Sequence, residues 1–185
     1  CHFSDPWEWL KSIPVRQKRK PQKRKIITHG KYDLRKLYYD ARVIMYKRDL
    51  PKLWAAGFYY ECKFPDITKT NGTMKYIRDV LNNFGHNADR NNTMGIPYRD
   101  KVTGETKWRK SGSTTGATDM FNDIFVPGYP KAFSWKIEVK KGNDDLNKAQ
   151  TKYRDKMNKI GVLNSVIRVG ELDFFWDEYY RIMSL

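Results

Sequence analysis

Residues 133–140 read FSWKIEVK and alternate strictly between apolar and polar side chains. A period of two is typical of a β-strand that buries one face of a sheet. The apolar set, which we assign to the core, is Phe133, Trp135, Ile137 and Val139. The polar set on the opposite face is Ser134, Lys136, Glu138 and Lys140. The chain is therefore predicted to contain a sheet with one apolar face.

Helical periodicity on both sides of this strand predicts an α/β fold. Apolar residues at spacings of three and four favour helices over 33–48, 74–84, 146–160 and 172–183. Strands are predicted over 119–126 and 162–169, and a hairpin over 98–109. Pro51 is expected to stop the first helix. The order α-β-β-β-α-β-α predicts a mixed central β-sheet flanked by helices.

The N-terminal third differs from the rest in charge. Residues 11–25 read KSIPVRQKRKPQKRK and contain no acidic residue. Self-repulsion and the two prolines oppose a packed element, whereas phosphates could order the segment. We interpret it as a nucleic-acid-binding arm, with a solubilising tail or localisation signal as the alternative. The arm's predicted contact residues are Lys18, Arg19, Lys20, Lys23, Arg24 and Lys25.

The turn at Asn71-Gly72 is where we place a domain boundary. Residues 1–69 are predicted to form a basic, partly helical N-terminal extension, and residues 70–185 the core. A chain of 185 residues with an apolar fraction of 39% can fill one such core.

Composition favours nucleic acid as the partner and disfavours other classes. The chain carries 36 Lys and Arg against 21 Asp and Glu, a net charge of +15, which attracts a polyanion. Its longest apolar runs are too short to span a bilayer, so no membrane is expected. Two cysteines exclude a disulfide framework or a four-cysteine zinc site, and they fit a reducing compartment. We therefore expect a cytoplasmic protein, in the host cytoplasm if it is viral.

Three residues are candidates for metal-dependent chemistry. If the strand that starts near Asp119 pairs with 133–140, Asp119 lies beside Glu138, and Lys140 lies next to Glu138 on the same face. Hard carboxylate oxygens suit Mg²⁺ or Mn²⁺, which can activate water while a lysine neutralises developing charge. By itself the pattern also fits a solvated sheet face. Asp123, two pleats along the strand from Asp119, is a rival ligand, with a structural or surface role as the alternative that its more interior strand position favours.

Four segments of this region resemble the VRR-NUC family of the PD-(D/E)XK nuclease superfamily. They are ADRNNTMG at 88–95, GATD at 116–119, IEVK at 137–140 and DDLNKAQ at 144–150. The last three resemble the family's Gly-x-Pro-Asp, Ile-Glu-Val-Lys and Asp-x-Leu-Ser-x-x-Gln patterns, with similar spacing. The resemblance covers about residues 70–175. It implies a restriction-endonuclease-like core and metal-dependent cleavage of phosphodiester bonds.

The resemblance also implies roles for individual residues. Asp119, Glu138 and the main-chain carbonyl of Val139 would bind metal, and Lys140 would be catalytic. Gln150 is the fourth expected member of the catalytic set, projecting from its helix toward the strand ends, with a helix-cap or surface role as the alternative. Arg109, Lys110 and Lys141 are predicted to contact nucleic acid, although a flexible connector at 109–115 is an alternative.

The chain departs from the family pattern at three places. Thr118 replaces a proline that binds no metal, and Asn147 replaces a serine in a helix-capping position, which asparagine also suits. The family's additional helix glutamate has no counterpart near residue 70. Glu61 or Asp66 could supply that carboxylate, so the number of metals stays open.

The leading function is a metal-dependent endodeoxyribonuclease. Stand-alone members of the family resemble Holliday-junction resolvases in size and tend to come from phages or bacteria, so branched DNA and a homodimer fit. A non-cleaving nucleic-acid-binding or assembly protein of a phage replication or packaging complex is the alternative, and an RNA nuclease stays open. The histidines His2, His29 and His86 are expected to be surface or structural, because their spacing matches neither a metal site nor a catalytic triad.

Overall fold

The computed structural model describes residues 30–58, 62–91, 96–109 and 116–185. Its helices are α1 (Leu34–Asp49), α2 (Pro51–Ala55), α3 (Thr70–Phe84), α4 (Lys148–Lys159) and α5 (Leu172–Met183). Its strands are β1 (Asn87–Arg90), β2 (Ile96–Arg99), β3 (Thr106–Arg109), β4 (Met120–Ile124), β5 (Phe133–Lys140) and β6 (Leu163–Arg168). The predicted helices and strands are present, with ends shifted by a few residues. Within the described ranges, no helix is long and apolar enough to cross a membrane.

The central sheet is mixed, as the sequence predicts. Four strands lie in the order β1-β4-β5-β6, in which β4 is antiparallel to both neighbours and β6 is parallel to β5. The predicted order α-β-β-β-α-β-α holds for this sheet and its helices. The predicted hairpin, β2 and β3, forms a separate two-stranded sheet between β1 and β4 in the sequence.

The apolar face of β5 forms the centre of the core. Trp135 is fully buried and stacks on Phe175 of α5, with ring centroids 5.6 Å apart. Its indole N–H donates to the Ser165 hydroxyl of β6 at 2.9 Å. Helices α3 and α5 contribute buried residues to the same cluster, and so does α1, through Leu34, Tyr38 and Ala41. Of the two described helices that precede residue 62, α1 thus packs against α3.

Helix α4 begins later than its apolar spacing predicts. That spacing includes Leu146, but the first helical residue is Lys148, and Asn147 is the N-cap, as its residue type predicts. The Asn147 side chain accepts from the Gln150 backbone N–H, and the Gln150 side chain accepts from the Asn147 N–H, which completes a capping box. Pro51 behaves partly as expected, since α1 ends at Asp49, yet it then occupies the first position of α2.

Candidate active site

Asp119 and Glu138 meet where β4 starts and β5 ends. Met120 lies opposite Ile137 in the antiparallel ladder, so the preceding residue Asp119 lies beside Glu138. The Asp119 N–H donates to Glu138 Oε2 at 3.2 Å, and Asp119 Oδ2 accepts from the Val139 N–H at 3.0 Å. The structure therefore brings the two predicted carboxylates together. The Glu138 carboxylate accepts from the backbone of Asp119, and the Asp119 carboxylate accepts from the backbone of β5.

Lys140 and Gln150 complete a connected cluster around Glu138. Lys140 Nζ lies 3.2 Å from Glu138 Oε1 and donates to Gln150 Oε1 at 2.9 Å. The Gln150 amide nitrogen donates in turn to Glu138 Oε1. Only 5% of the Glu138 side chain and 15% of the Lys140 side chain are exposed. Gln150 thus serves both as a helix cap and as a bridge between the other two residues.

The electrostatic environment of Glu138 is unfavourable for a free carboxylate. Burial, and next the negative charge of Asp119, raise the pKa of Glu138, while Lys140 opposes the rise. A carboxylate held close to a like charge in a desolvated position is stabilised by an added cation. This is the electrostatic pattern of a metal-ligand pair, and a buried structural ion pair does not require the second carboxylate.

A glycine allows the loop before β4 to approach α4. Gly116 has φ +81, and a Cβ there would lie 2.4 Å from the Ala149 carbonyl oxygen. No residue other than glycine fits this approach without displacing the backbone. The contact places the segment from Gly116 to Asp119 against the first turn of α4, which carries Gln150.

Asn91 fixes the backbone of Asp119 from the other side. Its N–H donates to the Asp119 carbonyl at 2.7 Å, and its side-chain amide donates to the Thr118 carbonyl at 3.0 Å. Thr118, which stands where the family pattern has proline, is buried and donates its hydroxyl to the Met120 carbonyl. The backbone that positions Asp119 is therefore held by both neighbouring segments.

The donor set fits a hard divalent cation. Along a strand, the N–H and C=O of one residue leave on the same side. The Val139 N–H faces Asp119, and the Lys140 carbonyl accepts from Val169 on the β6 side, so the Val139 carbonyl faces the Asp119 side. Two carboxylates and a carbonyl are oxygen ligands of the kind that Mg²⁺ and Mn²⁺ take. In the described ranges, no three His, Cys, Asp or Glu side chains lie close enough together to hold a metal ion by themselves.

The other candidate carboxylates do not join the cluster. Asp123 accepts from the Asn87 side chain at 3.2 Å, toward the far end of β4. Asp66 accepts from the Thr68 hydroxyl at 2.6 Å and pairs with Lys69, at the start of α3. Glu61 lies outside the described residues.

The predicted nucleic-acid contacts are largely outside the part of the chain that the structure describes. This applies to Lys110 and to all six arm residues, and the side chain of Arg109 is also outside it. Lys141 is described, is exposed and directly follows Lys140. Its contact with nucleic acid stays a prediction.

Two residues beside Glu138 were not singled out from the sequence. A cavity of about 10 Å³ next to Glu138 and Gln150 is also lined by Arg154 and Asn164, a volume on the order of one water molecule. Arg154 Nε and Asn164 Oδ1 are buried and have no hydrogen-bond partner among the described residues. Arg154 follows Gln150 by four residues on one helix face, a spacing that could have indicated it.

Comparisons of the chain with protein-family models, with curated proteins and with solved structures give no match. The resemblance to VRR-NUC nucleases therefore stays a prediction based on the four sequence segments.

Proposed function

We propose that this protein is a metal-dependent nuclease of the PD-(D/E)XK type that hydrolyses phosphodiester bonds in DNA. The observation that carries the proposal is the convergence of Asp119, Glu138 and Lys140 from two adjacent strands, with Gln150 bonded to Glu138 and Lys140. The mixed sheet flanked by helices is compatible with the restriction-endonuclease-like core that the resemblance implies.

Asp119, Glu138 and the Val139 carbonyl would hold Mg²⁺ or Mn²⁺. When bound, such a metal lowers the pKa of water and stabilises negative charge on phosphate oxygens. The desolvated position of Glu138 strengthens its attraction for a cation, because low local dielectric strengthens electrostatic interactions.

Lys140 would orient the attacking water. An ammonium group has three N–H donors, and Gln150 and Glu138 accept two of them here. The remaining donor can hold a water or a phosphate oxygen. Water then attacks phosphorus, the bond to the leaving oxygen breaks, and the positive charge of Lys140 offsets the charge that develops on the phosphate.

The charge of the chain supports a polymeric substrate. A net charge of +15 and a basic segment at 11–25 provide electrostatic attraction for phosphates. Branched DNA, such as a Holliday junction, and a homodimer that would cut both strands fit the proposal.

A non-cleaving nucleic-acid-binding component of a replication or packaging complex is the second candidate, because the same charge favours it. The paired carboxylates argue against it, since they would face a phosphate polymer at an electrostatic cost unless a cation binds between them.

A cleavage panel tests the proposal. Purified protein is incubated with a four-way junction, a flap, duplex DNA, single-stranded DNA and RNA, each with Mg²⁺, Mn²⁺ or EDTA. Lys140→Ala is compared with Lys131→Ala, which removes an exposed lysine at the opposite end of β5. We expect metal-dependent cleavage of DNA that Lys140→Ala abolishes and Lys131→Ala retains. Binding without cleavage under every condition would favour the second candidate, and preferential cleavage of RNA would change the substrate.

A further inference from the structure

The β2–β3 hairpin is a ribbon that stands apart from the central sheet. Its strands pair antiparallel with each other, with Arg99 opposite Thr106, and with no other described strand. All its side chains from Pro97 to Lys107 are exposed except Asp100, which is partly buried. Val102 in the turn is 94% exposed. An isolated hairpin is at best marginally stable in water, so the exposed part of this ribbon, residues 97–107, depends for its order on its own turn or on a partner.

The Asp100 carboxylate makes most of the side-chain contacts in the turn of the ribbon, and Arg99 Nε also donates there, to the Gly104 carbonyl at 3.1 Å. Asp100 Oδ1 accepts from the backbone N–H groups of Val102 and Thr103 at 2.8 and 3.1 Å. Asp100 Oδ2 accepts from Lys107 Nζ at 2.5 Å, which joins the two strands. Gly104 takes the positive φ of 69° that closes the turn. The tip is thus preorganised, and the Lys101 and Val102 side chains in it are exposed.

The described residues that flank the ribbon lie at the candidate site. Asn91, the last described residue before it, bonds to Asp119 and Thr118, and Gly116, the first described residue after it, touches α4. Five residue steps from Asn91 to Ile96 span at most about 18 Å. Ile96, the first residue of the ribbon, therefore lies within about 18 Å of Asn91. Asn91 in turn is bonded to the backbone of Asp119.

We propose that this ribbon, Ile96–Arg109, enters the major groove of duplex DNA next to the cleaved phosphate and makes duplex arms the preferred substrate of the site. The proposal rests on the proposed nuclease function. The major groove of B-form DNA admits a two-stranded β-ribbon, whereas that of A-form RNA is too narrow for side chains to read. Arg99 and Lys101 supply exposed positive charge, and Val102 supplies an apolar tip that can contact base edges.

The test changes the tip and keeps its scaffold. Lys101→Ala combined with Val102→Ser leaves Asp100, Gly104 and Lys107 in place. Lys159→Ala, an exposed lysine at the end of α4, is the matched control. Binding of labelled duplex DNA, single-stranded DNA of the same sequence and duplex RNA is measured by fluorescence anisotropy in EDTA over a range of salt concentrations.

We expect the tip variant to weaken binding to duplex DNA about tenfold and to reduce the slope of log K against log salt by about 1. Binding to single-stranded DNA and duplex RNA should not change, and the control should match the wild type on all three. Unchanged duplex affinity, an equal loss on all three polymers, or no binding of duplex DNA by the wild type would overturn the proposal.

The two proposals fail in different ways. Anisotropy in EDTA requires no cleavage, so a selective loss of duplex binding in the tip variant supports the ribbon contact even if the wild type cuts nothing. Metal-dependent cleavage that the tip variant retains on every substrate, with duplex affinity unchanged, would support the nuclease and refute the ribbon contact.

Discussion

The two ends of β4 both hold buried polar groups, but the groups are arranged differently. At one end, Asp119 lies beside Glu138, so that two carboxylates share a desolvated place. At the other, His86 Nδ1 accepts from the Phe125 N–H at 3.2 Å, and His86 Nε2 lies 3.0 Å from the Tyr179 hydroxyl. Each ring nitrogen of His86 has a neutral hydrogen-bond partner, so the polar groups at this end need no ligand.

This difference separates a buried polar residue with a structural role, His86, from one that is a candidate for catalysis, Glu138. His86 is held neutral, because burial, with a smaller contribution from Arg48, lowers its pKa to about 4. Glu138 is instead placed where its ionised form is unfavourable unless a positive charge is near. A buried group that needs nothing more is typical of structure, whereas a group that gains from a ligand is typical of function. Changing each end in turn tests this distinction.

The largest expected effect is at the carboxylate end. Glu138→Gln keeps the size of the side chain and removes the charge that would hold the metal. We expect cleavage to fall by about three orders of magnitude or more, as the loss of several kcal/mol of metal assistance implies. DNA binding and the thermal midpoint should stay near wild type, because the variant also removes repulsion from Asp119. Initial cleavage rates and thermal melts are the measurements, and a rate close to wild type would refute the site.

The opposite end should show the converse. His86→Ala removes the partners of the Phe125 N–H and the Tyr179 hydroxyl and leaves a cavity among aromatic rings. We expect a loss of about 2–3 kcal/mol in the free energy of unfolding, with the cleavage rate per folded molecule unchanged. Urea denaturation at pH 7.5 gives the first quantity. A cleavage defect as large as that of Glu138→Gln would erase the distinction between the two ends.

The pH dependence of stability should reflect His86. Its pKa lies near 4 in the folded protein, below the ordinary value of 6.5, so the unfolded chain binds the proton more readily. The contribution of neutral His86 to the free energy of unfolding is therefore complete above about pH 6.5. It is lost as the pH falls toward 4, by an amount on the order of 2 kcal/mol. Carboxyl groups titrate in part of this range, so the test compares wild type with His86→Phe. Equal slopes between pH 6.5 and 5 would contradict the assignment.

The smallest effect separates the two roles of Gln150. Asn147→Ala and Gln150→Ala each break the capping box of α4, and each should cost about 1 kcal/mol of stability. Only Gln150→Ala also removes the bonds to Glu138 and Lys140. We expect cleavage to fall about 10- to 100-fold in Gln150→Ala and far less in Asn147→Ala. Similar cleavage rates for the two variants would show that Gln150 acts only as a helix-capping residue.

Local sequence patterns predict most of the fold because its main elements follow the period of a helix or of a strand. The alternation in 133–140 correctly places Trp135 and Ile137 in the core, although Glu138 on the polar face is buried as well. The helical spacing before Gly85 correctly ends α3. At the start of α4 the two sequence signals disagree: apolar spacing includes Leu146, whereas the capping position assigned to Asn147 gives the observed boundary. Capping chemistry is more informative than periodicity at helix ends.

The candidate site is predictable where it depends on strand register and less so elsewhere. Pairing of β4 with β5 brings Asp119 beside Glu138, as the sequence predicts once the two strands are taken as neighbours. The contribution of Asn91 depends on a third strand, and that of Arg154 and Asn164 on how α4 lies over β6. Such packing between elements distant in sequence has no periodic signal. The separation of the ribbon from the central sheet has none either.

The double role of Gln150 has a consequence for how the site opens. The amide that closes the first turn of α4 also joins Glu138 to Lys140. Helix ends fray more easily than whole domains unfold, so an excursion confined to this turn would release Glu138 and Lys140 from Gln150 while the contacts between Asp119 and β5 stay in place. The time for which all four residues are in contact thus depends on the end of a helix, and a bound substrate that stabilises that turn would lengthen it.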